Sequence, residues 1–338
     1  MILWTDTVPI PQIEFCSAPG LYRVKRNTAV INGKIWFVYG EDSQVAKVVV
    51  FDIESSKVSQ VDIPISLNYW CESVASDGIY LYLYLRNKSG YAKLNKYDTE
   101  LMENVDITNI NFTLIPRDFQ VIDDFFIFLS VGRQIPLTRY DLRHKALVRT
   151  HSMIDDDREI GNIIRNNDDL HLLTFNRKEI EVSTIYAYES RITTKTPRIK
   201  RKGLCNGIFL TNGTMLTRMT KQEEQNNEVH NVSELVVETF DFENRTWQQD
   251  VVEDFFKYEE NVSLLAVEHV KDKIYVFTHI SENPNQVVIR VLNLKPTLAE
   301  ICLLNITKCL LSGKERMPLG LRNQLGTMIK SRVPSFGF

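Results

Sequence analysis

Cysteine is scarce in this chain and follows no pattern. Cys16, Cys71, Cys205, Cys302 and Cys309 are an odd number scattered over 338 residues. That excludes a disulfide framework as the organising principle and points to a reducing compartment. Glycine is scarce too, with 14 residues and no G-x-x-x-x-G-K run to cradle a phosphate. The six histidines show no H-x-x-x-H spacing, and Cys302 and Cys309 stand too far apart for a zinc knuckle, so neither a metal nor another cofactor is expected. No stretch of 18 apolar residues exists to span a bilayer. The opening "MILWTDTVPIPQ" has neither a basic region nor a long apolar core, so no export signal is expected. The seven N-x-S/T sequons then read as Asn-rich turns rather than glycan sites. A net charge of −3 gives no global attraction to nucleic acid or membranes. The expected location is the cytoplasm, with the nucleus as a second.

What is abundant is strand-forming sequence. Hydrophobic residues make up 43% of the chain, enough for a sizeable core. A phrase recurs in which a polar or Gly-containing pair introduces an aromatic and β-branched run. The examples are "NGKIWFVYG" from Asn32, "DGIYLYLYL" from Asp77, "DDFFIFLSV" from Asp123, "DDLHLLTFN" from Asp168, "NGIFLTNGT" from Asn206 and "KDKIYVFTH" from Lys271. The first four anchors are 45, 46 and 45 residues apart. A second phrase follows each, as in "VVVFDIE", "LNKYDTE", "LTRYDLR" and "VVETFDFE". An aromatic residue ends a strand there, and the following Asp can accept hydrogen bonds from turn amides. A polar run and a further apolar run complete each unit.

Four short strands every 45 residues or so is the period of a β-propeller blade. The expectation is an all-β, six-bladed β-propeller over residues 1–295, with a β-sandwich as the alternative. The likeness to kelch propellers is loose, because the kelch double glycine is absent. In the fifth unit the polar stretch 217–233 lacks periodicity and reads as a loop between the second and third strands. The sixth unit supplies only three strands before Pro296. Its fourth must come from elsewhere or leave an unpaired edge, and the N-terminal segment, "ILWTDTV" or "QIEFCS", has no other assignment.

After Pro296 the apolar spacing changes from alternation to fours. Leu298, Cys302 and Ile306 fall on one face of an expected helix, which Ile301 and Leu304 widen and Gly313 ends. A second helical stretch is expected from about Leu319 to Ile329. A small α-helical unit over 296–332 buries little by itself and needs the propeller or another protein.

The stretch "TLAEICLLNI" resembles the elongin-binding box of SOCS-box proteins, with Thr297, Leu298, Cys302 and Ile306 on the pattern and Ile301 beside them. "RMPLGLRNQL" resembles the cullin box through Met317, Pro318 and Leu319, while Gly320 replaces a proline. The resemblance implies a non-catalytic substrate receptor of a cullin-RING ubiquitin ligase. Its implied partners are elongin C and elongin B, a cullin-RING scaffold, and a target protein held by the propeller. A zinc-finger protein is one candidate target. Two other readings stand beside it: a propeller hydrolase with carboxylates around the central channel, and a scaffold whose terminal helix only caps the fold.

Two charged features are further candidates for capture, "KTPRIKRK" and the insert at 217–233 with "DVVEDFFKYEE", while "IDDDREI" is a candidate carboxylate cluster for an ion or a proton relay. "KTPRIKRK" (195–202) carries five cations and suits an acidic partner or nuclear import. "IDDDREI" (154–160) and "DVVEDFFKYEE" (250–260) are acidic. A solvated loop accounts better for "KTPRIKRK" and "IDDDREI".

Overall fold

A computed structural model describes residues 3–10, 27–42, 44–110, 116–122, 125–130, 136–152, 159–166, 169–175, 179–186, 191–195, 199–200, 205–211, 214–225, 228–252, 262–280 and 287–295. Every regular element among them is a strand. After β1 (Leu3–Ile10), the first sheet is β2 (Thr28–Ile31), β3 (Lys34–Asp42), β4 (Val45–Asp52) and β5 (Val58–Pro64). The second is β6 (Tyr69–Ser76), β7 (Tyr80–Asn87), β8 (Ala92–Asp98) and β9 (Glu103–Ile110). The third is β10 (Pro116–Ile122), β11 (Phe125–Ser130), β12 (Pro136–Asp141) and β13 (Ala146–Ser152). The fourth is β14 (Glu159–Asn166), β15 (Asp169–Phe175), β16 (Glu179–Tyr186) and β17 (Arg191–Lys195), with the short β18 (Ile199–Lys200) also on β16. The fifth is β19 (Cys205–Thr211), β20 (Thr214–Gln225), β21 (Glu228–Asp241) and β22 (Thr246–Val252). β23 (Val262–Val270), β24 (Lys273–Ile280) and β25 (Val287–Asn293) form the last sheet, and β1 is its fourth strand, antiparallel to β25 from Leu3↔Asn293 to Ile10↔Val287.

The first strands of the six sheets are neighbours in cyclic order, β2 to β6, β10, β14, β19, β23 and back to β2. Six antiparallel sheets ringed by their first strands make a β-propeller. Its core lies between blades, not within a single layer. One apolar cluster joins Trp36, Val48 and Ile63 of blade one to Leu83, Leu85 and Tyr97 of blade two. Others join blades two and three, five and six, and six and one. The middle strands of blades one, two and six are therefore covered on both faces. This is why β7 reads "YLYLYLRN", with five consecutive buried residues, instead of alternating. The outer strand β5 faces solvent and shows the mixed pattern of Ser59 and Gln60 exposed with Ile63 buried. Phe37 packs on Phe277 at 4.7 Å where the first and last blades meet. At the same junction the Thr28 hydroxyl donates to Val267 O at 3.3 Å.

The aromatic–Asp phrase has one geometry in four blades. Phe51, Tyr97, Tyr140 and Phe240 are buried, and the following aspartate accepts amide hydrogen bonds from the next turn. The fourth residue after the aromatic–Asp pair, Ser56, Met102, Lys145 or Arg245, is left-handed, with φ between 51° and 57°. Amide hydrogen bonds, then side-chain ones from Ser55, His144 and Asn244, hold the Asp52, Asp141 and Asp241 carboxyls below the usual carboxylate range. A carboxyl lowered in the folded state stabilises it above the ordinary carboxylate range, and that contribution fades as pH falls through the lowered values. The triple variant Asp52→Ala, Asp141→Ala, Asp241→Ala is thus expected to melt below the wild type at neutral pH. The gap should narrow on acidification, and a pH-independent gap in thermal melts would contradict the turn role.

Two sequence readings need correction in blade five. First, Asn206 is not its anchor. Asn206 lies inside the first strand β19, and the hairpin closes at Thr211↔Thr214, across the second Asn-Gly pair of "CNGIFLTNGT". Gly207 instead falls at a register shift between Asn206 and Ile208, where a strand glycine marks a bulge. Counting from Asn212 restores the period, since it follows Asp168 by 44 residues.

Second, residues 217–233 are not an irregular loop. β20 and β21 continue as a two-stranded ribbon, paired from Thr220↔Ser233 out to Gln225↔Glu228. Neither β19 nor β22 accompanies that part. The strands extend six residues past the four-stranded sheet, about 20 Å. The interval from Asn212 to Lys271 is 59 residues, and the 14 residues 220–233 account for its excess over 45. The ribbon reads as a loop because a strand with no core to cover needs no apolar alternation. The ladder of the four-stranded blade is complete without it. Replacing 220–233 by a two-residue Asn-Gly turn is expected to keep cooperative melting within about 2 °C of the wild type. A large loss in a calorimetric scan would show that the ribbon supports the ring.

Candidate interaction surfaces

The expected elongin-binding residues Thr297, Leu298, Ile301, Cys302 and Ile306, and the expected cullin-binding residues Met317, Pro318 and Leu319, lie outside the described residues, as does the whole 296–332 unit. The chain is described up to Lys295. There Leu294 N donates to Asp272 O at 2.8 Å, and the Lys295 ammonium pairs with the Asp272 carboxylate at 3.1 Å. Leu294 packs on the cluster between blades five and six. The third strand of the last blade is thus tied down to its end, while β1 holds the place where a fourth strand would otherwise follow. Of the charged stretches, Asp155–Arg158 of "IDDDREI" and Glu253–Glu260 of "DVVEDFFKYEE" lie outside the described residues. In "KTPRIKRK", Lys195 ends β17 and Ile199–Lys200 forms β18.

Carboxylates do stand on the first strands, as the hydrolase reading requires. Glu72, Asp118 and Glu268 are all buried. Asp118 binds blades together: it accepts the Ile163 amide of blade four at 2.7 Å and the Phe119 amide at 2.9 Å. Gln120 donates to Ile163 O at 3.1 Å, so both backbone polar groups of one blade-four residue are held by blade three. Glu72 accepts the Trp70 indole N–H. Among the described residues no three acidic, His or Cys side chains come together as a metal site. Nor is any helix there long and apolar enough to cross a membrane.

Blades one and two differ in one surface property that the sequence reading missed. Seven of the nine large apolar side chains exposed among the described residues fall between Leu67 and Ile107, in blade two and the connection leading into it. Blade one, described almost throughout, has none. Five of the seven cluster at the outer rim and one end of blade two. Leu101 and Met102 sit in the β8–β9 turn, Val105 and Ile107 on the outer strand β9, and Ile79 in the β6–β7 turn. The Thr99 hydroxyl donates to Ile79 O at 3.2 Å and holds the two turns together. Tyr97 is buried beneath, its hydroxyl 3.8 Å from Met102 Sδ. Glu100, Glu103 and Asp106 are exposed among these apolar residues. The run of apolar residues at the β8–β9 turn was the available signal, since "TELMENVDI" puts four of them where a solvated turn and outer strand are expected.

No family model matches this chain, and no curated protein matches it. Among solved structures it is similar to a Kuenenia stuttgartiensis hydrazine synthase, at 11% identity over 80% of each chain with a TM-score of 0.47. It is also similar to the Dos1 propeller, at 11% identity over 79% of this chain and 77% of that one, with a TM-score of 0.43. A chain of a mitotic checkpoint complex matches at 10% identity over 84% and 94%, with a TM-score of 0.48. At such identities and scores the fold assignment rests on the cyclic order of the strands themselves.

Proposed function

We propose that this chain is a six-bladed propeller carrying a C-terminal SOCS-type box, and that it works as the non-catalytic substrate receptor of an elongin B/C–cullin–RING ubiquitin ligase. The observation that carries the reading is the match of Thr297, Leu298, Cys302 and Ile306 to the elongin-binding pattern. The fold supports it indirectly. With β1 as the fourth strand of the last blade, all six sheets are complete before Pro296, so ring closure makes no demand on the segment that carries the box. The propeller captures the target, and ubiquitin transfer belongs to other subunits. Leu298 enters an apolar pocket as the anchor, and Cys302 is small enough to allow close approach of the two backbones. Met317, Pro318 and Leu319 contact the cullin.

The test is co-expression of the full chain, and of a chain ending at Lys295, with elongin B and elongin C. The full chain should co-purify with both, and the shortened chain should stay folded and bind neither. A full chain that never associates with elongins, or a shortened one that still does, would overturn the reading.

A further inference from the structure

We propose that the outer rim of blade two, formed by the β8–β9 turn and β9, docks an extended segment of the captured protein in which Lys or Arg alternates with apolar residues. This deepens the receptor reading by giving the propeller a target-binding surface, and it rests on that reading for the source of the segment.

Two observations carry it. The first is the apolar cluster itself: Leu101 is 67% exposed, Ile79 60%, Val105 50% and Ile107 42%. Scattered apolar residues need no explanation, but a cluster of this size, which the equally well described blade one lacks, marks a contact surface. The second is charge. From Tyr97 to Pro116 the sequence has no Lys or Arg and four acids, Asp98, Glu100, Glu103 and Asp106. Asp98 is occupied by turn amides, while Glu100, Glu103 and Asp106 are exposed. Lys96, opposite Asp106 in register, is held over the Tyr80 ring at 3.8 Å. Three carboxylates set among apolar side chains complement cations set among apolar side chains. The same carboxylates oppose a second copy of this chain, because antiparallel pairing of β9 with itself about Asp106 would set two carboxylates face to face.

The probes are two labelled twelve-residue peptides, one alternating Lys and Val, the other alternating Glu and Val. Their binding to the full chain is read by fluorescence anisotropy. The Lys–Val peptide should bind at least tenfold more tightly than the Glu–Val peptide. V105S/I107S should weaken it at least tenfold, with the melting temperature kept because both residues are exposed. E103K/D106K should reverse the preference. Equal affinity for both peptides, or wild-type affinity in both variants, overturns the proposal. So does a dimer in sedimentation that V105S/I107S abolishes without any peptide binding, which would assign the rim to a second copy. Elongin B/C co-purification is measured on the same samples. Its failure in the wild type sinks the receptor reading alone, whereas failure of peptide selectivity with elongin retained sinks only the rim.

Discussion

A chain lacking residues 1–10 should lose cooperative melting and aggregate. β25 has six of its seven residues buried, including Val287, Ile289 and Leu292 with no exposure at all. β1 covers its outer edge through seven register pairs, with one irregularity between Thr7 and Pro9. Removal leaves a row of unpaired amides and carbonyls on an apolar strand, the arrangement that templates association between chains. The loss does not stay local. Blade six packs on blade one through Phe277 and Phe37 and through Tyr275 and Phe51, and these contacts close the ring. A synthetic peptide of residues 1–10, added during refolding, should restore soluble protein in a concentration-dependent way, since it can take the vacant edge. A truncated protein that melts at the wild-type temperature would show that β1 is dispensable.

The 45-residue period was legible because each blade repeats the same physical problem. Two middle strands are buried on both faces, so "NGKIWFVYG" and "DGIYLYLYL" stand out as apolar runs behind turn residues. The aspartate after Phe51, Tyr97, Tyr140 or Phe240 was legible for a similar reason, because a four-residue turn has free amides that a carboxylate satisfies. The need for a fourth strand in the last unit followed from counting. Blade five was misread because Asn-Gly has two meanings. At 212–213 it separates paired strands, and at 206–207 the glycine sits at a bulge within one. The ribbon was misread because hydrophobic periodicity reports burial and not backbone pairing, and Thr220↔Ser233 to Gln225↔Glu228 pair without an apolar alternation in their sequence. The blade-two rim was missed because Leu101, Met102, Val105 and Ile107 look like core residues until the register places them on an outer strand and its turn.

Replacing Leu298 by Ala and Cys302 by Asp together should abolish co-purification with elongins B and C while leaving the propeller folded. The two residues are four apart, so a helix puts them on one face, and the elongin-box resemblance gives Leu298 the anchor position. Truncating an anchor that fills an apolar pocket costs about 2 kcal/mol or more, roughly thirtyfold in affinity. A carboxylate at Cys302 adds the larger penalty of a buried, unpaired charge. The propeller should be indifferent, because its six sheets are closed by β1 and its described chain is already tied down at Asp272. Wild type and double variant should therefore share a melting temperature and a common affinity for the Lys–Val peptide at the blade-two rim, and differ only in elongin binding. A helix that merely caps the propeller makes the opposite forecast. The variant would then melt at a lower temperature, and the wild type would bind no elongin in the first place. Full elongin binding by the double variant would remove Leu298 and Cys302 from the interface and the SOCS-type assignment with them.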